Sequence, residues 1–220
     1  MLKKGIFFFF LFFSISISAQ ETDEMFGSWS EVVGRHKLTE QWSIPTTAIL
    51  QHYRVFDPLQ FIILRTGLTY NLSENASATL GYDYIYSEVY SGENFSLSHR
   101  LWEELVLNSK YSGFGISHRY RLEHTWTRRK PDYDLSHRLR YRFRIEHLLY
   151  KKIYVTAFDE IFIKIGRPHF DQNRLHLGLG YVFHSNLRME LGYFKIHFTA
   201  AHFDRVRLAV IFKTALFSKE

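Results

Sequence analysis

Between Arg138 and Leu149 the chain reads RLRYRFRIEHLL. Arg138, Arg140, Arg142, Arg144 and Glu146 occupy one parity, while Leu139, Tyr141, Phe143, Ile145, His147 and Leu149 occupy the other. Alternation this strict fits a β-strand with one charged and one apolar face, because a helix would scatter the same arginines around its circumference. The stretch before it, SHRYRLEHTW, repeats the pattern with Arg119, Arg121, Glu123 and Thr125 against His118, Tyr120, Leu122, His124 and Trp126. RLHLGLGYVF does so again, with Arg174, His176, Gly178 and Gly180 opposing leucine and aromatic residues.

Eleven strand-like segments follow from this reading, near residues 26–37, 41–55, 59–71, 76–90, 97–110, 114–128, 135–149, 152–165, 173–184, 187–199 and 204–217. No helical pattern survives beyond the first twenty residues. The connections alternate in size. Short ones fall at LTEQ, SENA, SGF, YKK and SNL, and longer ones at FDPL, SGENFS, RRKPDYD, GRPHF and AAHFD. Short turns on one side and longer loops on the other are typical of an outer-membrane barrel whose short turns face the periplasm.

The N-terminus, MLKKGIFFFFLFFSISISAQ, has Lys3 and Lys4 before an apolar run and small residues at Ser18 and Ala19. It reads as a secretory signal peptide over 1–20, too short to span as a helix. Residues 21–220 are then expected to form one domain. The chain has no cysteine, so neither a disulfide framework nor thiolate chemistry is available. A formal net charge of +6 is modest, and an exported chain offers no reason to expect a nucleic-acid partner. Aromatic residues make up 18% and charged residues 23% of the sequence, so the two classes must be sorted onto different faces.

A soluble sandwich would also sort them, with the apolar face as core. Three features favour a membrane barrel instead. The segments are about 12–15 residues long, where strands of soluble sheets have about 5–6; the apolar faces carry Tyr, Phe and Trp toward their ends; and the rhythm of connections runs through the whole chain. Such strands must close, since backbone groups in lipid have to be paired. We therefore expect an all-β, transmembrane, antiparallel up-and-down barrel of ten to twelve strands, with short periplasmic turns and longer outer loops. Ten strands would leave residues 26–37 in or below the barrel; twelve would need one more short strand.

By parity the lumen receives Arg65, Asp83, Glu104, Arg119, Arg121, Glu123, Arg138, Arg140, Arg142, Arg144, Glu146, Glu160, Arg174, His176, Glu190 and Arg207. Arginine and carboxylate on neighbouring strands pair well and can fill a narrow interior. The expected role is accordingly structural or binding, in a protein with a salt-bridged, arginine-rich lumen. Two alternatives stay open. Four inward arginines on one strand could line a narrow anion-selective channel for small or acidic solutes. A lipid hydrolase or deacylase is the other, if a serine and a histidine from neighbouring strands meet.

The tripeptide SHR occurs at Ser98, Ser117 and Ser136. Consecutive strands run in opposite directions, so the three copies cannot share one site, and each serine lies on the opposite face from its own histidine. No G-x-S-x-G elbow, H-E-x-x-H motif or phosphate-binding glycine loop is present, and no metal, cofactor or catalytic residue is assigned. Outer-membrane lipids and the barrel-assembly machinery are the expected partners of a monomer in the outer membrane of a Gram-negative bacterium.

FGSWSEVVGRHKLTEQWSI, LQFIILRTGLTYNLSENASATLGYDYI, SHRYRLE, FDEIFI, FDQNRLHLGLGYVF and LRMELGY together resemble the domain of unknown function 2490 family, found in Bacteroidetes-like bacteria and regarded as outer-membrane barrels. The resemblance covers nearly all of the chain after the signal peptide. It implies a fold and a location, and it brings no activity or catalytic residue with it. Within FDEIFI, Glu160 is expected to point inward to an arginine, which leaves Asp159 on the apolar parity.

Overall fold

The structure, a computed structural model, describes residues 26–88, 94–129 and 132–216. The expected signal peptide and Phe217 lie outside the described residues. Eleven strands run in chain order: β1 (Gly27–Lys37), β2 (Trp42–His52), β3 (Leu59–Asn71), β4 (Ala76–Glu88), β5 (Phe95–Tyr111), β6 (Phe114–Arg129), β7 (Asp132–Tyr150), β8 (Ile153–Lys164), β9 (Phe170–His184), β10 (Leu187–Phe198) and β11 (His202–Ala215). They close into one barrel in which every strand pairs with its neighbours in sequence and β1 pairs with β11.

Ten of the pairings are antiparallel; the seam, β1 with β11, is parallel, in register from Gly27 opposite Arg205 to Lys37 opposite Ala215. This corrects the wholly antiparallel expectation, and the cause is arithmetic. Strands joined by hairpins alternate in direction, so the first and eleventh point the same way. Residues 26–37 are therefore neither a plug nor an accessory but part of the wall. The seam is sealed at its far end by the Leu216 amide, which donates to the Lys37 carbonyl at 3.0 Å.

The connections at one end are tight. At Ser112 and Gly113 both φ angles are positive, 49° and 83°, the two-residue turn whose twist matches that of the flanking strands. One expected long loop is mostly strand: β6 runs to Arg129 and β7 begins at Asp132, the two residues opposite each other.

Alternation along each strand sorts side chains to two surfaces. Outward residues include Leu64 and Leu68 on β3, Leu101 and Leu105 on β5, and Leu175, Leu177 and Leu179 on β9, all exposed. Every one of the eleven strands contributes at least one exposed large hydrophobic side chain. The inward side holds most of the buried charge. An 11-residue strand at about 3.3 Å per residue is about 36 Å long, and a tilt of about 40° leaves roughly 28 Å of height, close to the ~25 Å apolar band of outer-membrane barrels.

Two glycines make room for large rings inside this wall. A Cβ on Gly81 would lie 2.1 Å from the Trp102 ring, and one on Gly180 would lie 2.1 Å from the Tyr154 ring. Gly81 stands directly opposite Trp102, and Gly180 directly opposite Tyr154, so each ring lies flat over a neighbouring backbone.

Candidate functional site in the barrel interior

The interior is a ladder of guanidinium and carboxylate groups. Asp83, fully buried, accepts two parallel bonds from Arg65 at 2.8 Å each, a third from Arg100 at 3.3 Å, and one from the Trp102 indole at 2.7 Å. Glu123, also fully buried, takes Arg138 at 2.7 Å and Arg140 at 2.5 Å, with Arg100 and Arg121 at 3.6 and 3.9 Å. Glu104 holds Arg121 at 2.5 Å and Arg119 at 3.5 Å. Glu160 bridges Arg119 at 2.5 Å and Arg140 at 2.7 Å.

Toward the tight-turn end the pairs reach across the lumen. Arg144 on β7 meets Glu190 on β10 at 2.6 Å, and Arg188 on β10 returns to Glu146 on β7 at 3.2 Å. Glu190 also accepts from Arg207 at 2.9 Å and from the Tyr154 hydroxyl at 3.0 Å. Arg207 in turn pairs with Glu31 across the parallel seam and contacts His176, which is stacked on Phe158. The residues that parity assigns to the lumen are thus brought together in one interior. Among the described residues, Arg142 and Arg174 are the two arginines of this set with no carboxylate within ion-pair distance.

Sequence reasoning missed part of this interior. Glu31, Asp171 and Arg188 belong to the network as ion-pair partners, and so does Arg100, which parity already places on the polar face. More telling are the buried aromatics: Trp29, Trp102, Tyr154, Phe158, Phe162 and Phe194 are all inside. Arg140, Arg174 and Arg138 sit over the Phe162 ring at 4.2, 4.5 and 4.9 Å, and Arg121 over Trp102 at 4.1 Å. Guanidinium groups stack on such faces while keeping their in-plane N–H donors free for acceptors. One signal was available: Phe158 and Phe162 share the parity of Glu160, and Trp102 that of Glu104.

The outward polar groups are paired among themselves. Asp159 faces out and accepts from the Asn173 amide at 2.6 Å, which accounts for a carboxylate on the apolar parity. His99 meets the Tyr82 hydroxyl, His118 the Tyr141 hydroxyl, and His137 meets His124, which lies 3.4 Å from Glu103. The serines of the three SHR copies share the parity of the lumen; Ser98 bonds to Thr127 at 2.9 Å. A serine–histidine contact does occur elsewhere, Ser28 Oγ to His52 Nδ1 at 3.2 Å, but Ser28 is only 2% exposed. Among the described residues no group of three or more His, Asp or Glu is placed to hold a metal ion.

Inside the wall lies a cavity of about 230 Å³. Eight arginines and two carboxylates, Glu31 and Glu160, line it together with an apolar wall that includes Trp29, Ile49, Ile63, Phe158 and Phe194. The lining runs from Phe61 and Ser87, near the end with the longer connections, down to the row of Arg119, Arg142 and Glu160.

No curated protein matches the chain. A family model described as "Protein of unknown function (DUF2490)" matches residues 26–207, almost the whole barrel, and the chain belongs to that family.

Proposed function

We propose that this protein is a monomeric integral barrel of a Gram-negative outer membrane, with a lumen closed by its own side chains and a structural or binding role rather than a conducting one. The carrying observation is the inversion of the usual sorting: exposed large hydrophobics come from all eleven strands, while fully buried Asp83 and Glu123 sit in the interior. A sheet of this kind in water would leave a continuous apolar belt unburied, and soluble monomers rarely expose patches of more than a few hundred Å². In lipid the same belt is in its proper solvent, and closure leaves no strand edge.

The closed lumen is supported by cross-lumen pairs such as Arg144 with Glu190 and by the rings of Trp102 and Phe162, both essentially inaccessible. About eight strands give an interior that side chains just fill, so eleven leave room for long arginines and a small cavity rather than for a wide pore. The barrel-assembly machinery would insert such a chain.

Expression in a Gram-negative host, with separation of the membranes, tests this reading. The protein is expected in the outer-membrane fraction, extracted only by detergent, and its unheated band should migrate differently from the heated one. A folded, detergent-independent soluble monomer would overturn it.

A further inference from the structure

Among the described residues, Arg142 and Arg174 stand beside the ion-pair ladder without joining it. Arg65 and Arg100 have Asp83, Arg119 and Arg140 have Glu160, Arg138 has Glu123, and Arg207 has Glu31 and Glu190. Arg142 and Arg174 both line the cavity, and neither has a carboxylate within ion-pair distance among the described residues. Arg142 Nε is buried with no hydrogen-bond partner. Arg174 donates from Nε to the Gln172 side-chain carbonyl at 3.1 Å.

The two are placed as a pair. Arg142 on β7 and Arg174 on β9 stand in register with Glu160 on the strand between them. Aromatic faces hold both: Arg142 lies 5.4 Å from the Phe158 ring, and Arg174 lies 4.5 Å from Phe162 and 5.1 Å from Trp29. Stacking fixes the plane of a guanidinium without using its edge donors. A buried cationic donor with no acceptor is costly, and a bound anion satisfies it.

We infer that the cavity is a binding site for a small organic carboxylate, held by Arg142 and Arg174 and packed against the Trp29–Phe158–Phe194 wall. The apolar wall separates this ligand from a bare inorganic anion, which would leave those rings uncovered. A cavity of about 230 Å³ is several times the volume of one water, enough for a small organic acid. The site lies inside the barrel and does not depend on whether lipid or water surrounds the outer wall.

Calorimetric titration of the folded full-length protein with benzoate, benzamide and inorganic phosphate tests the assignment. Benzoate should bind saturably at one site, benzamide should not, and phosphate should bind more weakly than benzoate. Arg142→Gln and Arg174→Gln should each weaken benzoate by about tenfold or more, the range of a charge-assisted hydrogen bond. Arg35→Gln, outside this cavity, should leave binding unchanged. Benzamide binding as well as benzoate, no binding to the wild type, phosphate binding more tightly, or the double variant Arg142→Gln/Arg174→Gln binding like the wild type would each overturn it. Failure of Arg142→Gln to fold would overturn the premise that this arginine lacks a partner within the fold.

Discussion

Replacing Glu123 by glutamine keeps the side chain's shape and removes one negative charge from the middle of the ladder. Glu123 is fully buried and has four arginines within 4 Å: Arg140 at 2.5, Arg138 at 2.7, Arg100 at 3.6 and Arg121 at 3.9 Å. Breaking a buried pair by removing one partner costs about 3–5 kcal/mol. The lower end applies here, about 3 kcal/mol, because each of these arginines keeps another carboxylate: Glu160 for Arg140, Asp171 for Arg138, Asp83 for Arg100 and Glu104 for Arg121. Arg142→Gln, which removes a cation with no carboxylate in ion-pair range among the described residues, should be neutral or stabilising. Urea unfolding of detergent-folded protein measures both. The double variant Glu123→Gln/Arg140→Gln should be less destabilised than the sum of its parts, by about 1–2 kcal/mol, as expected for groups in direct contact. If Glu123→Gln matches the wild type to within about 0.5 kcal/mol, or Arg142→Gln destabilises as strongly, the interior is not held by the pairing described.

Gly81→Ala and Gly180→Ala should each destabilise by about 1–3 kcal/mol, the usual cost of overpacking, because the added methyl meets the Trp102 or Tyr154 ring at 2.1 Å; thermal unfolding followed by near-ultraviolet dichroism of those rings reads it. In planar bilayers the wild type should show no steady conductance. Reversing Arg140 and Arg142 to glutamate should chiefly lower stability, since Arg140 serves both Glu123 and Glu160, whereas stable anion-selective currents from the wild type would contradict a closed lumen. Alanine at Ser98, Ser117 and Ser136 should leave any phospholipid turnover in a labelled-lipid assay unchanged, since these serines share the lumen's parity.

The strands of this barrel were legible wherever polarity alternates. RLRYRFRIEHLL could be only a two-faced strand, and its five charged residues are all inside or at the inner rim. The same rule fails on β8, where Tyr154, Phe158 and Phe162 point inward and Ile153, Val155 and Ile161 share the opposite parity. Both faces are apolar there, so hydrophobic alternation carries no signal, and only the parity of Glu160 betrays the inward side. Asp159 misleads in the other direction, because its partner Asn173 lies on the next strand and no single-strand pattern shows it. Strand parity was settled by local chemistry. The parallel seam was not: whether residues 26–37 enter the wall depends on β1 meeting β11 from the far end of the chain, with Glu31 and Arg207 as the pair that joins them.

An outer wall built this way calls for lipid, not water, as its solvent. The chain has no cysteine, so single cysteines at Leu64, Leu179 and, in a tight turn, Glu74 can each carry one fluorophore. Folded into vesicles containing brominated lipids, the labels at Leu64 and Leu179 should be strongly quenched and the label at Glu74 should not. Equal, weak quenching at all three positions would contradict a barrel that faces lipid.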